Sequence, residues 1–495
     1  MRLPPRVWRF LHSRRVWWAA AVSPFALGVI GAGYYGVVNW WSERKLVEQR
    51  EWLAANGYAV TLEEYYPAAA NPDEDVLQHP AVVAELAAAE NLTRVHAGPL
   101  RSRLAGLARS LPKADPELGE REDVRAWFDP PRHATEAEAA REILEALSAE
   151  QQRMAGIVEA LQRPRCAWEL KDIGGLNSAI EQQNAMIRIS GFARDLAVLH
   201  LAVGDSEVAA ALLEAELKLV AHLYRHPSLF SCLSAQVVLE RSQSILHEGV
   251  TRQAWSEGTL ARLDAAIAAL DPQAACIASM RGEIAMDLDV DAMLRVLQAA
   301  DLQLLEGWEL DGEVIVKRLR ETWLVVRPVG TLKLELVEVQ QQLVAETVAR
   351  EGEPPGRFSR ADFLEFERKE AMTRASSVIA PWGLLRAVAN GSLESESLAT
   401  LSRSGIALER YRLKFQTHPK GFASLVPEFL PAVPLDPCDL RPLRYRLLPD
   451  GSPLVWSVDL DGANNGGIRP KQRRSFRREP GYDRIWGTRP LPAAP

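Results

Sequence analysis

Cysteine is scarce: four residues in 495, Cys166, Cys232, Cys276 and Cys438, with no Cys-x-x-Cys and no Cys/His ligand spacing. That excludes an ordinary zinc module and a disulfide-dense scaffold. An oxidising compartment would permit a disulfide, but spacing alone pairs none of the four. Nucleophile and phosphate motifs are missing too, with no G-x-S-x-G and no Walker A run. No spacing forces a Ser/His/Asp set or a carboxylate pair together. The third absence is local. Val16 to Trp41 contains no Asp, Glu, Lys or Arg.

At about 1.5 Å per residue, a helix of that run is long enough to cross a hydrocarbon core of about 30 Å. Trp17 and Trp18 mark one end and Tyr34, Tyr35, Trp40 and Trp41 the other, where amphipathic rings settle among headgroups. The run is too long for a signal-peptide core and ends without a small-residue cleavage site, so an uncleaved anchor is expected. Before it, residues 1–15 carry five arginines and no acid. Basic flanks stay inside, so the expected topology is a cytoplasmic N-terminus in the inner membrane with the bulk extracytoplasmic. Gly28, Ala32 and Gly36 form a small-residue stripe through which two such helices could pack as a homodimer.

Net charge is uneven: +5 over residues 1–15, +6 over 468–495 and −18 between them. The basic end suits anionic lipid, glycan or nucleic acid, but the expected topology disfavours nucleic acid, and a solubilising tail is the plainer reading. Composition otherwise is globular, 47% hydrophobic and 25% charged.

Along the chain, Ser42–Asn56 has helical periodicity and stops at Gly57. Pro67, Pro72 and Pro80 then break a strip expected to lie over a helical body. From Thr135 the pattern is Ala/Leu/Glu-rich and helical. Gly204 followed by Asp205 and Ser206 marks the turn of an αα-hairpin ended by Pro227. Further helices are expected near Leu233–His247, Ser256–Leu270, Ala292–Leu305 and Thr331–Arg350. Ser359 and Asp362 read as a capping box, and Pro381 as a break. Ser397–Phe415 carries Leu401, Gly405, Leu408, Tyr411 and Phe415 on one face. A hairpin follows, with Leu443, Tyr445 and Leu447 on one side, Leu454, Trp456 and Val458 on the other, and an Asp450-Gly451 turn.

The ordered series Leu408–Arg412, His418-Pro419, Leu425–Pro427, Asp436-Pro437, Arg444–Arg446 and Ser457–Gly462 resembles the globular domain of type II secretion pseudopilins over roughly Leu398–Gly467. The pseudopilin's processed N-terminal helix is not matched, so the resemblance implies architecture and no activity. It also implies a calcium loop, with Asp461, Asn464 and Asn465 at the matching positions. The residues agree in kind: Asp459, Asp461, Asn464 and Asn465 offer oxygens on a glycine-rich turn. The alternative is a Gly-Asn turn that closes the sheet. His222 and His226 stand i, i+4, but as partners of a helix C-terminus more than as a metal pair. Asp287, Asp289 and Asp291 alternate around a helix and suit a solvated loop or caps.

The expected fold is therefore mainly α, an irregular helical bundle or solenoid, with one N-terminal transmembrane helix and a small C-terminal α+β, pseudopilin-like antiparallel sheet. Its segments are a basic cytoplasmic stretch (1–15), the anchor (16–41), a juxtamembrane helix and linker (42–130), a helical domain (131–350), connecting helices (351–396), the pseudopilin-like domain (397–467) and a disordered basic tail (468–495). No catalytic residue and no organic cofactor is indicated. The expected role is a membrane-anchored extracytoplasmic scaffold or adaptor tied to an envelope partner in a secretion or pilus-like system. An envelope hydrolase with a carboxylate site in the helical domain is the alternative.

Overall fold

The structure is a computed structural model that describes residues 14–55, 60, 71–90, 104, 106–107, 121–167, 175–226, 228–288, 382–468 and 483–487. The chain divides into two compact units, one of residues 1–62, 284–343 and 374–381, the other of 63–283, 344–373 and 382–495.

In the first unit, α1 (Arg14–Ala55) is one uninterrupted helix. The sequence suggested a second helix from Ser42. Neither Pro nor Gly stands between Val37 and Ala55, so nothing ends the first one there. Side chains along it are described from Gly28 onward. Among the described residues no helix is long and apolar enough to cross a membrane. Val29, Ile30, Val37 and Trp40 are nevertheless each more than half exposed, and the Arg44 guanidinium lies 5.0 Å from the Trp40 ring centre.

The second unit is mostly helical with a small three-stranded antiparallel sheet. Its helices are α2 (Pro80–Glu90), α3 (Glu136–Ala146), α4 (Ser148–Ala160), α5 (Gly175–Val203), α6 (Ser206–Tyr224), α7 (Leu229–Thr251), α8 (Glu257–Ala268), α9 (Pro272–Leu288, of which 272–283 belong to this unit) and α10 (Trp382–Phe415). Capping explains several starts. Thr135 Oγ1 accepts from the Glu138 N–H while the Glu138 carboxylate accepts from the Thr135 N–H, a reciprocal box. Ser228 Oγ accepts from Ser231 N–H and Ser256 Oγ from Thr259 N–H, capping α7 and α8 from one side. The α5–α6 hairpin turns at Gly204, whose φ of +87° suits glycine. Asp205 occupies the cap position but sends its carboxylate back to His200 Nδ1, 3.2 Å away.

α7 packs against α5, α6 and α10, and the continuous core includes Phe192, Leu196, Leu213, Leu219, Val238, Leu246 and Leu401. Two expected boundaries vanish in it. α10 begins immediately after Pro381 and runs through Ser397, so residue 397 opens no new domain. The stretch to residue 130 is also more than a linker. Val76, Leu77, Val124, Trp127 and Phe128 are core residues, and Val76 N–H donates to Arg165 C=O at 2.9 Å. The helices expected at Ala292–Leu305 and Thr331–Arg350, the Ser359/Asp362 box, Asp289 and Asp291 lie outside the described residues.

The sheet has the order β1 (Arg444–Leu447), β2 (Pro453–Ser457), β3 (Arg484–Gly487). β1 and β2 form the hairpin the alternation called for, with Gly451 at φ +82° and Tyr445 opposite Val455. β3 corrects the disordered tail. Its four residues are buried and pair with β2, Trp456 standing opposite Ile485.

Candidate functional site

The loop after β2 holds every residue the sequence offered as a calcium ligand, and two of their side-chain oxygens, Asp461 Oδ1 and Asn464 Oδ1, accept N–H groups of the loop and its flanking strand. Asp459 has φ +55°, and its carbonyl accepts from Gly462 N–H at 3.1 Å. Asp461 Oδ1 accepts from Ala463 N–H at 2.9 Å. Asn464 Oδ1 takes both the Trp456 indole N–H, 3.0 Å, and the Gly466 N–H, 3.1 Å. Asn465 donates its amide to Ala463 C=O. Such Asx bonds are the turn-forming habit of Asn and Asp. Among the described residues no group of three His, Cys, Asp or Glu side chains is placed to hold a metal ion. The hydrogen bonds shown are those of a self-braced turn.

Two aspartates brace that turn from outside. Asp483, one residue before β3, accepts the N–H groups of Asn465 (3.2 Å) and Gly467 (2.7 Å). Asp436 is fully buried and accepts from Ser457 Oγ, Val458 N–H, Cys438 N–H and Arg444 Nη1 at 2.6–3.0 Å. Burial pushes both carboxyls above their ordinary range despite these donors. Beneath the loop, the buried Arg484 side chain sets Nη2 3.3 Å from Glu394 Oε2 and Nε 4.0 Å from Asp459 Oδ1.

A second constellation lies in the helical body, and no spacing announced it. Glu122, Asp195 and Glu248 are all buried. Arg194 of α5 pairs with Glu122 and, at 3.1 Å, with Asp195. Arg252 donates to Glu248 (2.6 Å), to Glu136 (2.8 Å) and to the Glu122 carbonyl (2.9 Å). Burial opposes the Arg194 charge, yet the two acids hold its pKa above the ordinary value. Acids matched to guanidinium forks in this way clamp segments together and are not free to shuttle protons.

His222 and His226 do not share a ligand. His222 Nε2 donates to Leu161 C=O at 3.3 Å, whereas His226 Nδ1 meets Ser231 Oγ at 2.7 Å in the turn before α7. Burial lowers both imidazoles to about 4, so they are neutral at pH 7 and do not serve as charged partners of the helix end. Ser231 also receives the Gln183 amide at 2.6 Å. A neutral, buried hydroxyl–imidazole pair at a helix start completes the capping of α7.

All four cysteines are free thiols, and three are buried. No family model matches the chain, and no curated protein and no solved structure is significantly similar to it. Sequence reasoning missed Asp483 and Arg484 because they sit beyond a proline- and arginine-rich stretch that looks unstructured. The signal was the short apolar pair Ile485-Trp486.

Proposed function

We propose that the chain is a membrane-anchored adaptor, with Val16–Trp41 of α1 in the bilayer, residues 1–15 cytoplasmic and the helical unit with its sheet outside, in contact with an envelope partner. The observation that carries this is the exposed apolar surface of α1, Val29, Ile30, Tyr34, Val37, Trp40 and Trp41. Water-exposed patches of that kind mark a lipid or protein contact. The charge-free run, its aromatic ends and the arginines before it support the same topology. Among the described residues nothing is packed over Gly28 and Gly36, and a stripe of this kind suits a second copy.

The proposal of a secretion or pilus-like setting rests on the pseudopilin resemblance of residues 397–467, which itself implies architecture alone. Three features of that stretch support it: the helix entering the sheet, the buried DP-turn aspartate Asp436 and the hairpin. The hydrolase alternative draws less support, because the converging carboxylates of the helical body are bound to arginines.

The test is extraction of native membranes with alkaline carbonate, then with detergent. An anchored chain stays in the pellet with carbonate and enters solution only with detergent. Release by carbonate would remove the anchor and with it the extracytoplasmic placement. A reporter fused after Gly467 should be active only outside the cytoplasm.

A further inference from the structure

The two edges of the sheet differ. On the β3 side, α7 closes the edge: His247 Nε2 donates to Gly487 C=O at 2.5 Å, and its ring stands edge-on to Trp486 at 5.4 Å. On the β1 side, among the described residues, the cover is at the start, where Leu443 N–H donates to Pro434 C=O. Beyond that point the ladder phase fixes which groups are free. Leu448 N–H reaches Ser452 C=O, so Arg446 and Arg444 are the residues that exchange bonds with β2. The backbone N–H and C=O of Tyr445 and Leu447 therefore point away from the sheet. Arg446 and Leu447 are exposed. Nothing among the described residues pairs with the outward groups of Tyr445 and Leu447.

We infer that this edge accepts a short extended segment of a partner protein in which acidic and apolar side chains alternate. The inference deepens the adaptor reading and rests on it. An open edge is a template for strand addition, with main-chain bonds giving affinity and side-chain alternation giving choice. The outer face of β1 shows Arg446, whose guanidinium lies 5.6 Å from the Trp456 ring centre and has no ion pair among the described residues. An acid on the added strand opposite Arg446 completes that pair. The inner face shows Tyr445, its ring tilted against that of Phe422 at 5.4 Å, and the exposed rim of Leu447, which an apolar neighbour would cover.

A second copy of this chain is the wrong occupant. Antiparallel self-pairing centred on residue 446 sets Arg446 against Arg446, and pairing centred on 445 sets Arg444 against Arg446, like charges directly opposite in both. Pairing centred on Leu447 opposes no like charges, but it runs past the end of β1 and sets Tyr445 against Pro449, which has no N–H to give.

The test uses the purified full chain in detergent micelles and a fluorescein-labelled Glu-Val-Glu-Val-Glu-Val peptide, read by anisotropy. Saturable binding is expected. It should weaken by about tenfold or more with Arg446→Glu, and a Lys-Val version of the peptide should then prefer the variant. Leu447→Pro removes one outward donor. Should that variant lose the sheet, a peptide N-methylated at alternate residues asks the same question of the unchanged protein, and weaker binding is again expected. No saturation, or equal binding by the N-methylated peptide, overturns the proposal. Edge failure in a chain that still fractionates with membranes leaves the adaptor reading standing, whereas edge binding by a chain that carbonate releases sinks the anchor alone.

Discussion

The Trp486 indole lies directly over Gly405, so closely that a Cβ at 405 would overlap the ring. One residue comes from α10 and the other from the last strand, so this contact is where the far end of the chain locks onto the helical body. A larger residue at 405 must push the indole off the helix, and overpacking of this kind costs about 1–3 kcal/mol. Gly405→Ala should lower the urea midpoint accordingly, and Trp486→Ala should cost about 3–5 kcal/mol through the cavity it leaves. In a double-mutant cycle the two should be far from additive, since removal of the indole frees the space the new methyl needs. Additive losses would show that the two side chains do not meet.

Arg194 is the cation between two buried acids, Glu122 and Asp195. Breaking such a cluster from one side strands buried charge and costs about 3–5 kcal/mol. Arg194→Met is expected to lose that much in chemical denaturation, and adding Glu122→Gln to it should restore part of the loss. A variant as stable as the parent would mean that water reaches these carboxylates.

The buried Glu216 carboxyl is pushed up to about 7, chiefly by burial, with the Ser190 hydroxyl at 2.5 Å and the nearby Arg241 pulling the other way. An acid that holds its proton more tightly when folded contributes stability that is complete below its unfolded pKa near 4.5 and is lost as pH rises through about 7. His222 has the opposite sign. Burial lowers it to about 4, so its contribution is complete above 6.5 and is lost as pH falls toward 4. Glu216→Gln should therefore flatten the decline in stability between pH 5 and 7, by on the order of 3 kcal/mol at the upper end, and His222→Gln should flatten the rise over the same range. Denaturation midpoints across that range for the three chains test both signs. A Glu216→Gln curve parallel to that of the parent would show a carboxylate already charged in the folded state.

Periodicity and punctuation made the helices legible. The Gly204 turn, the start at Thr135 and the Asp450-Gly451 hairpin all fall where local chemistry demanded them. Long-range closure was not legible. β3 is four residues long and follows a stretch whose composition argues against structure, and its reason for ordering is Gly405, nearly eighty residues earlier. Partners such as Glu122 with Arg194, or Asp483 with Gly467, have no sequence spacing that marks them, because tertiary contact alone brings them together. The four residues offered as calcium ligands lie on one loop, and Asp461 Oδ1 and Asn464 Oδ1 accept N–H groups there, a use of those oxygens that spacing does not reveal.

That competition sets the expectation for calcium. A cation at Asp459, Asp461, Asn464 and Asn465 would need six to eight oxygens, yet Asn464 Oδ1 already serves Trp456 and Gly466, and Asp461 Oδ1 serves Ala463. Binding would have to break several of these bonds and leave the Trp456 indole N–H without its acceptor, a cost of about 1–3 kcal/mol per buried group. Thermal melts in millimolar calcium and in chelator should therefore coincide. Asn464→Ala should destabilise the sheet equally in both, because what it removes is the brace on Trp456. A melting temperature that rises with calcium and loses that rise in Asn464→Ala would show instead that the loop opens to a cation, and the oxygens would then belong to the ion.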